Sequence, residues 1–126
     1  VDMAVKAREK AYAPYSGLRV GACVRGASGK LYTGCNVENA SYGAACCAER
    51  VALYAAVAAG ERELTHVAVA SDSAGATYPC GICRQVIHEL APDARVLCAG
   101  RDGAFEAYTA GDLLPHAFTL KAKDEE

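Results

Sequence analysis

Apolar positions along the chain switch between helical and strand periods, and the switches predict the elements. From Met3 to Tyr12, Met3, Ala4, Val5, Ala7, Ala11 and Tyr12 are interleaved with Lys6, Arg8, Glu9 and Lys10, an amphipathic segment that suits a helix; Pro14 and Gly17 end it. Leu18 to Val24 is rich in small and β-branched apolar residues and predicts a strand. Gly26-Ala27-Ser28-Gly29-Lys30 predicts a hairpin turn, and a second strand follows over Leu31–Val37. Cys47 to Gly60 predicts a helix that Gly60 stops. Thr65–Ser71 is nearly continuous in apolar residues, as in a strand covered on both faces. Cys83, Val86, Ile87 and Leu90 fall at i, i+3, i+4 and i+7, so Cys83–Leu90 predicts a helix, closed by Pro92. Strands are expected at Arg95–Ala99 and Phe105–Thr109 around a turn at Arg101-Asp102-Gly103. Asp112–Leu114 is expected to form a short helical turn, and the charged Lys121–Glu126 is expected to be a loose tail.

The predicted order is α-β-β-α-β-α-β-β. Such alternation implies an α/β sheet covered by helices, with at least its middle strands parallel. The helix over Cys47–Gly60 adds something else. Val51, Leu53, Tyr54 and Val57, with five alanines between Ala52 and Ala59, leave it almost no polar face. A helix apolar all round is buried all round, and a small sheet covers only one side of it. The other side is expected to meet a second copy of the chain.

Composition narrows the class. At 126 residues the chain has room for one hydrophobic core, so residues 1–126 are expected to form a single domain. No apolar run approaches the ~18–20 residues of a membrane span, and Val1–Lys10 has no signal-like apolar core. A cytoplasmic location, with no membrane partner, is the expectation. Net charge is −2, and the 13 Lys and Arg residues are scattered. A nucleic-acid polymer is therefore a poor partner, because such binding rests on clustered cations that displace counterions. Seven cysteines cannot all pair, and a reducing compartment keeps thiols free. Cys23, Cys35 and Cys98 fall in predicted strands and are expected to be core thiols.

Three other cysteines carry chemistry. Cys80 and Cys83 belong to Pro79-Cys80-Gly81-Ile82-Cys83, a C-x-x-C where a helix begins, so both sulfurs can reach one ion. Cys47 also opens a helix, and two helix ends can then point at one centre. Three protein ligands on Zn²⁺ leave a fourth position for water, as in catalytic sites. Three thiolates would leave the ion with a net charge of about −1 and blunt its acidifying power. Two helix N-termini, each worth roughly half a positive charge, and Arg50 donating to a ligand sulfur offset that excess. Glu49, two residues after Cys47, supplies a proton carrier. A structural zinc knot would have no use for Glu49 or for an open position. The pairing of a C-x-E segment with a later P-C-x-x-C, the Glu not a ligand, is the pattern of zinc base deaminases.

Adding Asn36-Val37-Glu38-Asn39-Ala40-Ser41-Tyr42, the chain resembles the small homotetrameric cytidine deaminases. The resemblance runs from about Arg8 to Phe118 and includes Pro14-Tyr15-Ser16, Val20-Gly21-Ala22, Arg84-Gln85 and Leu113-Leu114-Pro115. It implies a three-layer α-β-α fold on a five-stranded mixed sheet, zinc on Cys47, Cys80 and Cys83, and Glu49 moving protons. It places Asn36 and Glu38 on the ribose 3′-hydroxyl, and the Ala48 N–H on the pyrimidine 2-oxo group. It also implies a homotetramer in which Ala40, Tyr42 and Phe118 reach a neighbouring subunit's site. The departures are Leu18 where the family has an aromatic wall, Thr119-Leu120 after Phe118 in place of Gly-Pro, and Cys46 beside the ligand, for which a packing role is expected. The substrate class implied is a small nucleoside, cytidine or 2′-deoxycytidine. A modified nucleoside such as blasticidin S, or a free base, is the alternative within the same chemistry. A zinc-stabilised binding module is the alternative outside it, and it would need a fourth protein ligand.

Overall fold

The computed structural model describes residues 1–120; the predicted tail at 121–126 lies outside the described residues. The chain runs α1 (Asp2–Ala7), a 3₁₀ turn (Arg8–Lys10), β1 (Val20–Gly26), β2 (Leu31–Cys35), a second 3₁₀ turn (Tyr42–Ala44), α2 (Ala48–Ala58), β3 (Leu64–Ser71), α3 (Gly81–Leu90), β4 (Arg95–Ala99), β5 (Phe105–Thr109) and α4 (Ala110–Leu113). The five strands form one mixed sheet in the order β2-β1-β3-β4-β5.

Among the described strands only β3 and β4 pair in parallel; β1 is antiparallel to both β2 and β3, and β5 to β4. The expectation of parallel middle strands is thus corrected to a single parallel pair. The cause is topological. β2 and β3, joined by α2, do run in the same direction, but the hairpin partner β1 lies between them.

Alternation along the strands sorts the core into two layers. Ala22, Val24, Val67, Val69, Val96 and Cys98 point to one face, where Ala52, Leu53 and Ala56 of α2 and Ile87 of α3 cover them. Cys23, Ala68, Ala70, Leu97 and Ala99 point to the other, against Val1, Ala4 and Val5 around α1. Full burial of a Val, Leu or Ile side chain is worth about 1.5–3 kcal/mol, so the α2–α3 layer carries most of the hydrophobic stabilisation. The result is the expected α-β-α sandwich, with α1 as a thin third layer.

Two glycines set how closely helices approach. A Cβ at Gly21 would lie 2.0 Å from the Ala4 carbonyl oxygen of α1. One at Gly34 would lie 2.6 Å from the Ala52 nitrogen and 2.7 Å from the Ala48 oxygen of α2. The outward side of α2 stays uncovered: Tyr54 is 48% exposed, and Ala55 and Ala58 are exposed beside it. No described helix is long and apolar enough to cross a membrane.

Boundaries differ from expectation where backbone groups found other partners. The first helix stops well before Tyr12, because the Tyr12 N–H donates to the Asn36 carbonyl at 3.0 Å and its carbonyl accepts from Glu38 N at 2.8 Å. The second strand ends at Cys35, short of Val37. The thiols also divide. Cys23 and Cys98 are buried, but Cys35 is only half-buried and points its sulfur at the Lys10 carbonyl, 3.5 Å away, so it is not a core thiol.

Candidate active site

Cys47 and Cys80 cap α2 and α3 respectively, in extended backbone (φ −71°, ψ 152° and φ −69°, ψ 170°). Each carbonyl starts its helix, accepting from Val51 N at 3.2 Å and Arg84 N at 2.9 Å. Neither side chain caps its own helix, so both sulfurs are free to turn outward. Cys83, in the first turn of α3, is fully buried. The three sulfurs lie within 4.8 Å of one another, with Cys47 and Cys80 3.7 Å apart.

That spacing fits a metal. Tetrahedral zinc with Zn–S bonds of about 2.3 Å places its sulfurs about 3.8 Å apart. Among the described residues no fourth Cys, His, Asp or Glu joins the group. A structural knot of four protein ligands, and with it the binding-module alternative, finds no support in this geometry.

The surroundings stabilise negative sulfur. The neighbouring Cys83 thiol, and the Arg50 Nη2 that donates to the Cys47 sulfur at 3.6 Å, pull the Cys47 thiol down to about 5 despite its burial. Cys83 is pushed up in turn, because it holds the shared proton and lies in the core. A cation claiming all three sulfurs would displace the remaining protons. The bond to Cys47 likewise pushes the Arg50 guanidinium up, while its Nε stays buried without a hydrogen-bond partner among the described residues. Glu49 is 4% exposed, and burial pushes its carboxyl up to about 7.

A cleft of about 260 Å³ opens over these groups. Leu18, Asn36, Glu38, Cys47, Ala48, Glu49 and Cys80 all line it, so seven of the residues singled out from sequence converge on one space. Leu18 is 40% exposed on its wall. Ala48 is the first residue of α2, where a backbone N–H has no intrahelical acceptor. Asn36 Oδ1 accepts from Val20 N and its Nδ2 donates to the Leu18 carbonyl, both at 2.8 Å. Glu38 Oε1 accepts from Tyr15 N at 2.9 Å and Ser16 N at 3.2 Å, and Oε2 from the Ser16 hydroxyl at 2.5 Å. These bonds, that of the Ser16 hydroxyl first, hold the Glu38 carboxyl below its ordinary range. One amide hydrogen on Asn36 and one lone pair on Glu38 Oε2 stay free for a ligand hydroxyl.

Three predicted residues do not reach this cleft within one chain. Tyr42 is 85% exposed, Phe118 67% exposed, and Ala40 is exposed as well. Tyr42 instead lines an adjacent hollow of about 340 Å³ with Cys46, Arg50 and Ile82. Cys46, half-buried there, pairs its backbone with Val37 in both directions (2.9 and 3.0 Å) and so sets the approach to α2. Ser16, Val20, Thr77 and Tyr78 also line the cleft and were assigned no role from sequence. Ser16 had a visible cue in the Pro14-Tyr15-Ser16 turn; Tyr78 had none beyond its place before Pro79.

A buried carboxyl beside three sulfurs at paired helix ends, under an open cleft, defines a zinc-dependent hydrolytic enzyme. Residues 1–99 match the family described as the cytidine and deoxycytidylate deaminase zinc-binding region, and the chain belongs to that family. It is 45% identical over 122 residues to a cytidine deaminase of Halalkalibacterium halodurans, covering 96% of this chain and 92% of that one. The crystal structure of a cytidine deaminase from Burkholderia pseudomallei is similar at 50% identity and a TM-score of 0.89, covering 94% and 95% of the two chains. That of Mycobacterium tuberculosis is similar at 38% identity and a TM-score of 0.82, covering 94% of each.

Proposed function

We propose that this chain hydrolyses cytidine and 2′-deoxycytidine to uridine and 2′-deoxyuridine with release of ammonia. One observation carries the proposal: a buried carboxyl, Glu49, shares a cleft with Cys47 and Cys80, two of three convergent sulfurs, and with the prealigned pair Asn36 and Glu38.

Asn36 and Glu38 offer a donor and an acceptor to the 3′-hydroxyl and so fix the sugar. The Ala48 N–H meets the 2-oxo group, which orients the ring with C4 toward Glu49. Cys47, Cys80 and Cys83 would hold zinc, which when bound would supply a Lewis acid able to make water a competent nucleophile at neutral pH. Glu49 handles the protons. C4 gains the water oxygen and loses the exocyclic nitrogen. One water proton passes through Glu49 to N3, where it stays, and the other to the departing amine, which leaves as ammonia. A carboxyl raised to about 7 accepts and releases a proton near neutral pH with little penalty either way. Arg50 holds Cys47 as a thiolate and moderates the excess charge of the sulfur set.

The uncovered face of α2 and the distance of Ala40, Tyr42 and Phe118 from their own cleft support a homotetramer in which neighbours complete each site. The scattered charge favours free nucleosides over a polymer, and the reading is completed by a single catalytic domain working in cytoplasmic pyrimidine salvage. Leu18 favours one variant of this reading. An aliphatic wall gives the base less stacking than an aromatic one, so a modified cytosine nucleoside such as blasticidin S, or the free base, belongs in the test. Ultraviolet assay of zinc-loaded protein with cytidine, 2′-deoxycytidine, cytosine and blasticidin S decides. Turnover of the two nucleosides well above the others is expected; turnover confined to blasticidin S or cytosine would reject the substrate assignment.

A further inference from the structure

Tyr78 has no part in the mechanism above, yet it joins the metal site to the far edge of the sheet. It lies two residues before the ligand Cys80 and lines the cleft. Its hydroxyl donates to Glu106 Oε1 on β5 at 2.7 Å, and the Tyr108 hydroxyl donates to that same oxygen. The two tyrosine rings meet edge to face with centroids 6.1 Å apart. Glu106 pairs with Cys98 and Tyr108 with Val96 in the β4–β5 register, so both lie on the sheet face that carries α3.

The three ligands are not held equally. Cys83 is fully buried in the first turn of α3, and Cys47 is half-buried and bonded by Arg50. Cys80 is exposed; α3 holds its carbonyl through Arg84 N at 2.9 Å, and on its other side its position depends on the segment that enters from Thr77. Thr77 N donates to the Ala99 carbonyl at 3.0 Å and Arg84 Nε to the Pro79 carbonyl at 2.7 Å. Between those two main-chain tethers, the Tyr78 side chain is the link to β5.

We propose that Tyr78, Glu106 and Tyr108 form a positioning clamp that keeps Cys80 and the adjoining cleft wall in register with Cys47, Cys83 and Glu49. The clamp acts through Tyr78 on the segment entering Cys80; neither Glu106 nor Tyr108 lines the cleft. Releasing it frees the most exposed ligand first, so metal loss accelerates, and a looser wall weakens substrate capture more than the chemical step.

The test compares zinc-loaded Tyr78→Phe, Glu106→Ala and Glu106→Gln with the unaltered protein. Zinc release to an excess of the chromogenic chelator 4-(2-pyridylazo)resorcinol and cytidine kinetics are both followed. Tyr78→Phe and Glu106→Ala are expected to release zinc about fivefold faster, the size of one net hydrogen bond, and to raise KM by a similar factor with kcat within about twofold. Glu106→Gln should restore both quantities, since both hydroxyls already share one oxygen and the single carboxamide oxygen can accept them. Release at the unaltered rate in Tyr78→Phe and Glu106→Ala overturns the clamp, even if their melting temperatures fall. So does a Glu106→Gln variant that behaves like Glu106→Ala. The KM arm rests on the deaminase reading and the zinc arm does not. A protein that leaves cytidine untouched while the zinc arm behaves as stated would reject the substrate and keep the clamp.

Discussion

Gly34 sits on β2 behind the first turn of α2 and does not line the cleft, yet its replacement by alanine should cripple the enzyme without unfolding it. The added Cβ would lie 2.6 Å from Ala52 N, 2.7 Å from the Ala48 oxygen and 2.9 Å from Val51 Cβ. Two of these three atoms are backbone, so no rotamer change relieves the contact. Ordinary contact begins at 3.4 Å, and α2 must therefore retreat from the sheet by roughly 0.8 Å, at a cost of about 1–3 kcal/mol for overpacking. Against a total stability of about 5–15 kcal/mol the chain stays folded, with a melting temperature lower by roughly 4–12 °C. The retreat carries the first turn of α2, with Ala48 and Glu49, away from α3, which holds Cys80 and Cys83. Displacement of reacting groups by about 1 Å costs on the order of 10²-fold in rate. Calorimetry and cytidine kinetics on Gly34→Ala, beside a Gly75→Ala control whose new Cβ has nothing within 4 Å, make the check. A Gly34→Ala protein with unaltered kcat and melting temperature would refute the account of how α2 is seated.

Other expectations follow from the same geometry. Glu49→Gln should retain about one zinc per chain by elemental analysis while kcat falls by roughly 10²–10⁴-fold; retained turnover would remove Glu49 from the proton path. Asn36→Ala strips a donor and an acceptor from the backbone at Leu18 and Val20, so it should destabilise the fold by about 1–2 kcal/mol in urea titration and raise KM for nucleosides. Tyr54→Lys on the uncovered face of α2 should lower the particle mass in light scattering and cut activity while zinc stays bound. An unchanged mass would reject α2 as a face between copies of the chain. Glu38 has a folded pKa below its unfolded one, so its contribution to stability is present above the ordinary carboxylate range and lost as pH falls through the depressed value. Glu38→Gln should therefore flatten the acid limb of a stability–pH curve and leave the neutral region nearly level.

The three-sulfur cluster and the carboxyl beside it were legible because each half is written locally. Cys47, Glu49, Cys80 and Cys83 stand at helix starts, where spacing alone brings sulfurs to one face. The pair of covered sheet faces was legible too, in the nearly continuous apolar run of β3. Strand direction was not, since periodicity carries no sense of pairing and β1 could have lain outside β2 as readily as between β2 and β3. Tyr12 fits a helical stripe and yet bonds to the Asn36–Glu38 backbone, a long-range pairing that local propensity does not register. Cys35 has the neighbours of a strand core residue, but it lies at the end of an edge strand, half in solvent. The Tyr78–Glu106–Tyr108 link joins positions 28 residues apart in Tyr78 and Glu106, and nothing in either neighbourhood announces the other.

Glu38 accepts three hydrogen bonds from the Tyr15–Ser16 turn, which hold its carboxyl below the ordinary range, so the end of the cleft proposed for the sugar carries an anion whose position those bonds fix. An alcohol approaching it finds an acceptor; a phosphate ester on that same oxygen brings a second negative charge against the first. Discrimination between loose nucleosides and links of a polymer would thus be electrostatic, exercised by one carboxylate before the base is tested at all.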